Sequence, residues 1–192
     1  GLRLYIAKNK TGTGTISGFN MYRIEKNEEY KIVTVKTDGT GDYTSLRSAV
    51  ESITDASASN PYMIEVYPGT YDIMSYYTAE EIAEAAGGNF WGLMLGDGVN
   101  IRGVGDKHEI ILSATLATSY DSHDIRNKIS TLNVGGNVSI ENMTIVATNI
   151  RYCIHDAFGL GVGKYKRVLK DLILIASNLT SGNPPRTYGC GI

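Results

Sequence analysis

Two stretches of this chain can be laid over each other, and that repeat limits the fold more than any other feature. In SIENMTI, residues Ile140, Asn142, Met143 and Ile145 match Leu169, Asp171, Leu172 and Leu174 of VLKDLILI. Each phrase runs into a polar Asn turn and then a similar ending, Tyr152-Cys153-Ile154 in one case and Tyr188-Gly189-Cys190-Gly191-Ile192 in the other. A weak repeat built on alternating apolar residues describes stacked coils, each adding a strand to a growing parallel sheet. Inward Ile, Leu, Val and Met then bury against the same positions one coil away, about 4.8 Å off. Asn and Asp suit the corners, because they tolerate left-handed backbone and hydrogen-bond the adjacent coil. The ends of such a stack leave a strand edge that must be covered.

Composition agrees with many short strands joined by tight turns. There are 22 Gly and 13 Tyr among 192 residues, with no Gln, and Gly, Asn, Thr and β-branched residues are spread throughout. That balance argues against a helical bundle. Hydrophobic residues make up 42% of the chain, enough for a core without metal or disulfide staples. The net charge of −2 advertises no nucleic acid and no anionic membrane as partner. No apolar run is long enough to span a bilayer, and the first residues do not read as a signal peptide. Cys153 and Cys190 fit neither a disulfide framework nor a zinc module and read as small buried hydrophobes in neighbouring repeats. A start on Gly1 and an ending in TYGCGI, where a strand should run on, suggest a β-helix truncated at its C-terminus.

Along the chain, residues 1–30 form a Gly/Thr/Asn-rich lead-in or connector, β-rich in expectation, and 31–192 form the coils. KIVTV is a strand ended by Asp38-Gly39. Leu46, Ala49, Val50 and Ile53 then recur at helical spacing, which predicts a helix over 45–54 with Thr44 or Asp42 as its cap. This helix is placed to close the N-terminal end of the core. MIEVYPGTY is a strand stopped at Pro68-Gly69. Thr78 and Glu81 have capping-box spacing for a second helix over 79–86, with Gly87-Gly88 as its stop. From Trp91 onward the pattern is strands and turns.

Three phrases carry a resemblance to a known family. They are Val35, Asp38, Gly39, Gly41, Asp42 and Tyr43; then Ile64, Val66, Pro68, Gly69 and Tyr71; then Gly96-Asp97-Gly98. Together they resemble the N-terminal region of pectinesterases and related pectin-lyase-like proteins, clearly over 32–112 and more loosely over 130–192. The resemblance implies a mainly β fold, a right-handed parallel β-helix with a short N-terminal capping helix. It does not imply the family's ester hydrolysis. Pectinesterases use two aspartates, an arginine and glutamines that stabilise the oxyanion. Where their first glutamine stands, this chain has Arg151-Tyr152-Cys153-Ile154, and the later catalytic phrases are absent. A similar opening occurs in phage tail spikes and tail fibres, which are commonly trimeric and bind or cleave cell-surface polysaccharide. With the connector-like lead-in, this resemblance implies a virion protein, a homotrimer in contact with other tail proteins. The alternative is a secreted carbohydrate-active enzyme. No cofactor or metal is expected, although a lyase would want an Asp-rich calcium site, which these residues do not assemble.

Arg151, Tyr152, His155 and Asp156 are the best candidate cluster, since an arginine, an aromatic ring, a histidine and a carboxylate suit sugar binding or acid–base work. Strand alternation predicts Arg151 and Cys153 on one face, with Tyr152 and Ile154 on the other. Trp91, with Phe90, Tyr76, Tyr77 and Tyr120, is a candidate lining for a carbohydrate groove. Asp121-Ser122-His123-Asp124 and Asp106, His108 and Glu109 read as solvated turns, and Gly159 to Lys164 lacks the Ser or Thr of a phosphate loop.

Overall fold

The computed structural model describes residues 29–84, 91–117, 129–156 and 165–177. Expectations for residues 1–28, Gly87-Gly88, Phe90, Tyr120, the 121–124 loop, 159–164 and Cys190 lie outside them. The elements are β1 (Lys31–Val35), α1 (Leu46–Ser52), β2 (Tyr62–Val66), β3 (Gly69–Asp72), a 3-10 turn (Met74–Tyr76) and α2 (Ala79–Glu84). They continue with β4 (Trp91–Leu95), β5 (Val99–Gly103), β6 (Ile110–Thr115), β7 (Ile129–Val134), β8 (Val138–Thr148), β9 (Tyr152–Asp156) and β10 (Arg167–Ser177).

Paired named strands run parallel, and they lie on three faces. The first face holds β1, β2, β5 and the opening halves of β8 and β10. The second holds β3, β6 and the closing halves of β8 and β10. The third holds β4, β7 and β9. The chain passes from third face to first to second and then begins the next coil. This is a parallel β-helix, as the repeat and the family resemblance implied.

Within β8 and β10 the corner between two faces takes one residue. Asn142 and Asp171 each adopt φ 56, the left-handed region that Asn and Asp tolerate best among residues with a side chain. Asn142 Nδ2 donates to the carbonyls of Gly103 (2.9 Å) and Gly105 (3.0 Å) one coil up. Lys107 forms an ion pair with Asp171 at the same corner. The approach is close enough that a Cβ on Gly103 would lie 1.9 Å from the Asn142 carbonyl oxygen, so a side chain is barred there. The aligned pair seen in the sequence is therefore one corner repeated.

Inward residues stack in columns. Val33, Ile64, Ile101, Ile140 and Leu169 follow one another through five rungs of the first face. Tyr71, Leu112, Ile145 and Leu174 do the same on the second face, and Leu93, Leu132 and Ile154 on the third. Ile64, Ile101 and Ile140 are wholly buried, and each such side chain contributes about 1.5–3 kcal/mol. Facing outward on the first face are Glu65, Arg102, Glu141 and Lys170 in register. Alternating signs avoid stacking like charges one rung apart. Arg102 meets Glu65 at 2.6 Å and Lys170 meets Glu141 at 4.0 Å.

The N-terminal end is closed twice. Helix α1 buries Leu46 and Ala49, packing against β1 and β4. Its cap is Ser45, whose Oγ accepts from Ser48 N at 3.3 Å, and not Thr44 or Asp42. Asp42 has a different task. Its Oδ2 accepts from Thr34 N at 2.8 Å, while Tyr43 N donates to Thr34 O and Lys36 N to Tyr43 O. The outer edge of β1 from Thr34 to Lys36 is thus occupied, which blocks pairing with a foreign strand there. The capping box of α2 forms in both directions, Thr78 N to Glu81 Oε2 at 2.7 Å and Glu81 N to Thr78 Oγ1 at 3.2 Å.

Candidate functional site

Strand β9 carries most of the candidate cluster, and its register fixes what stands beside each residue. Tyr152 pairs with Ser130, Ile154 with Leu132, His155 with Asn133 and Asp156 with Val134. Simple alternation fails here. Cys153 and Ile154 both belong to the core, so Tyr152 and Ile154 do not share a face as predicted. The break in period brings Tyr152 and His155 together instead, with ring centroids 5.0 Å apart and planes tilted by 47°. The Arg151 guanidinium lies 4.6 Å from the centre of the Tyr152 ring, a cation–π contact.

Asp156 closes the strand in an ion pair with Arg167 Nη2 of β10, at 2.8 Å. Arg167 also lies over the Tyr165 ring at 5.2 Å. The other side of His155 is held by Asn133, a fully buried residue of β7 whose Oδ1 lies 3.1 Å from Nδ1. Burial pushes the pKa of His155 below the ordinary 6.5; Asp156 opposes that push and the positive Arg151 adds to it. The imidazole is therefore mainly neutral at pH 7.

The structure brings the Arg151 guanidinium, the Tyr152 ring and the His155 imidazole together, with Asp156 next along the strand and paired with Arg167. Trp91 opens β4 in the same sheet and pairs with Ile129, the neighbour of Ser130; its side chain is not among those described. Tyr76 and Tyr77 are half-buried at the capping end. Tyr76 OH accepts from Leu46 N at 3.2 Å and Tyr77 OH donates to Gly92 O at 2.7 Å, so both tie the capping region together. Asp106, His108 and Glu109 form an ordinary turn in which His108 N donates to Asp106 Oδ1. Sequence reasoning missed Asn133, Tyr165 and Arg167. A buried Asn inside the strand STLNV was a signal for the first, but only the register showed what it faces.

Cys153 sits behind this surface with Sγ 3.5 Å from Ile145 O and 3.4 Å from Ile175 O. Burial pushes its thiol up to about 11, so it behaves as core and not as a nucleophile. Among the described residues no three His, Cys, Asp or Glu side chains converge as a metal site would require.

No protein-family model and no curated protein matches this chain. Among solved structures it is similar to pectin methylesterase PemA from Erwinia chrysanthemi, with 14% identity and a TM-score of 0.47 over 78% of this chain and 46% of that one. It is similar to a pectin methylesterase mutant in complex with a hexasaccharide, at 14% identity and a TM-score of 0.46 over 79% of this chain and 46% of that one. It is also similar to pectin methylesterase from carrot, at 16% identity and a TM-score of 0.41 over 83% of this chain and 40% of that one. The chain spans less than half the length of these proteins. At this level the likeness says nothing about activity.

Proposed function

We propose that this chain supplies the opening coils of a β-helix protein that binds an extracellular polysaccharide on its third face. The observation that carries the reading is the surface formed by Arg151, Tyr152 and His155, flanked by the Asp156–Arg167 pair. A guanidinium, an imidazole and an aromatic ring edge match the alternating hydroxyls and apolar faces of a sugar. One carboxylate, Asp156, lies at this surface among the described residues, and Arg167 neutralises it. Binding is therefore the function assigned to these coils. The alternative is a secreted carbohydrate-active enzyme acting on an extracellular polysaccharide.

Isothermal titration of the full-length protein with pectin oligosaccharides and with bacterial surface glycans tests the reading. Saturable binding that Arg151→Ala weakens about tenfold, the loss of about 1.4 kcal/mol, supports it. Binding unaffected by Arg151→Ala and by Tyr152→Ala removes the site from consideration.

A second setting follows from the lead-in. Residues 1–30, rich in Gly, Thr and Asn, suit a module strung onto a longer fibre. In that setting the protein is a phage tail spike or tail fibre, a homotrimer in the virion that binds host cell-surface polysaccharide. Light scattering on the full-length protein separates the two settings. A trimer supports the tail protein, and a monomer supports the secreted one.

A further inference from the structure

The sequence holds four Asn-x-Ser/Thr triplets, the acceptor pattern for Asn-linked glycans, opening at Asn9, Asn137, Asn142 and Asn178. Those at Asn137 and Asn142 fall among the described residues, and both asparagines tie one coil to the next. Asn137 Nδ2 donates to Asp97 Oδ1 at 2.8 Å, while its Oδ1 accepts from Lys166 N at 2.9 Å. Asn142 is more heavily engaged. Its Nδ2 donates to Gly103 O at 2.9 Å and to Gly105 O at 3.0 Å, which occupies both N–H groups of the amide.

Glycan transfer bonds Nδ2 to the anomeric carbon of a lipid diphosphate-linked oligosaccharide, expels the lipid diphosphate and releases one amide proton. With a C–N bond of about 1.45 Å, a sugar carbon standing in place of either hydrogen lies about 1.5 Å from a carbonyl oxygen, far inside contact distance. The corner has no slack to absorb it, since a Cβ on Gly103 would already lie 1.9 Å from Asn142 O. Swinging the side chain outward instead leaves the Gly103 and Gly105 carbonyls without their donor where the chain bends between faces. The third residue of the triplet is shut in as well. Thr144 is 6% exposed, and its Oγ1 donates to Lys107 O at 2.8 Å. A transferase must read that hydroxyl, so it can act only before β8 pairs with β5 and β6, and a glycan once attached opposes the pairing.

We propose that Asn142 is a modification site at which an Asn-linked glycan blocks the fold, so that this chain reaches its native state only where glycan transfer does not precede folding. The inference is independent of whether the third face binds polysaccharide. It narrows both settings proposed above: a virion protein or a secreted enzyme built on these coils matures outside the glycosylating secretory route.

The test routes the full-length protein through the secretory pathway of a eukaryotic cell, with and without an inhibitor of glycan transfer. Enzymatic glycan removal in heavy-oxygen water leaves a labelled Asp at each occupied site, so mass spectrometry reads occupancy at Asn142 directly. The expected occupancy is about tenfold lower in secreted, protease-resistant protein than in retained aggregate, and the inhibitor raises the secreted yield. Two variants separate Asn142 from the other three triplets and from side effects of the inhibitor. Thr144→Val abolishes the triplet and raises the yield without inhibitor, whereas Thr144→Ser keeps both triplet and hydroxyl and does not. Where Thr144→Val itself fails to fold, the occupancy ratio in the unaltered chain decides. Secreted, protease-resistant protein fully occupied at Asn142 overturns the proposal. So does an Asn142 unoccupied in both fractions, because no glycan then competes with folding.

Discussion

Replacing Ile101 by alanine tests the central physical claim about this fold, that its stability is stored in columns of identical positions. Ile101 sits between Ile64 and Ile140, and all three are wholly buried. The substitution removes three side-chain carbons, and at about 0.8 kcal/mol each the lost transfer energy is about 2.4 kcal/mol. A cavity term adds to this, because β2, β5 and β8 are held at fixed spacing by their ladders and the column cannot close over the gap. The sum is about 4 kcal/mol, in the upper half of the range for Ile to Ala changes. Leu169 occupies the same column at β10 but is 37% exposed, so Leu169→Ala leaves no closed cavity. Its expected cost is about 1–2 kcal/mol. Equilibrium unfolding in urea, followed by circular dichroism, gives both values from the shift in midpoint at constant slope. Equal losses in the two variants, or a loss below about 2 kcal/mol for Ile101→Ala, would refute the column argument.

Three further outcomes can be checked in the same assay or beside it. At the corner, Asn142→Gly is expected to lose under about 2 kcal/mol and Asn142→Ala about 1–2 kcal/mol more, since only the latter pays for a left-handed backbone. Lowering the pH should weaken the fold in two steps. His155 has a depressed folded pKa, so the unfolded chain takes its proton first, and stability present above about pH 6.5 declines as pH falls through the folded value. Asp97 is held low chiefly by the backbone N–H of Asn137; its contribution is present above about pH 3.9 and is lost below that. A midpoint that rises between pH 7 and pH 5 contradicts the sign of the first step. Finally, peptide mapping after iodoacetamide at pH 8 should find Cys153 unlabelled in the folded protein and labelled in urea, because the thiol is buried and its pKa is pushed up to about 11.

Much of the architecture was legible because it depends on local chemistry. The match of Asn142 with Asp171 required only that both tolerate the same backbone, and they share φ 56. The Thr78–Glu81 box is a reciprocal contact within one turn, so its spacing sufficed. The capping helix was visible in its apolar spacing, yet its cap was misplaced because Asp42 is drawn to the edge of β1 by Thr34. The cluster on β9 was visible as residue types, but its arrangement was not. Strand alternation placed Tyr152 opposite Cys153 but on the same face as Ile154, and the period breaks where Cys153 and Ile154 both turn into the core. Asn133 joins the site through the register of β7 with β9 and Arg167 through an ion pair from β10, neither of which a single chain spells out.

The one-residue corner at Asn142 and Asp171 governs where this molecule is free to change. An insertion there would shift the following strand by one place and turn every inward side chain outward. The connections bordering the third face are under no such rule. Residues 135–137 and 157–166 lead to successive strands of the first face, and 116–128 and 149–151 to successive strands of the third, with very different lengths, while β4, β7 and β9 stay paired, with one register shift between Trp91 and Leu93. The first-to-second corner itself is longer in earlier coils, two residues at 67–68 and six at 104–109, so the one-residue form belongs to β8 and β10. Length can therefore be added where a connection is already long, while the paired strands carry the fold.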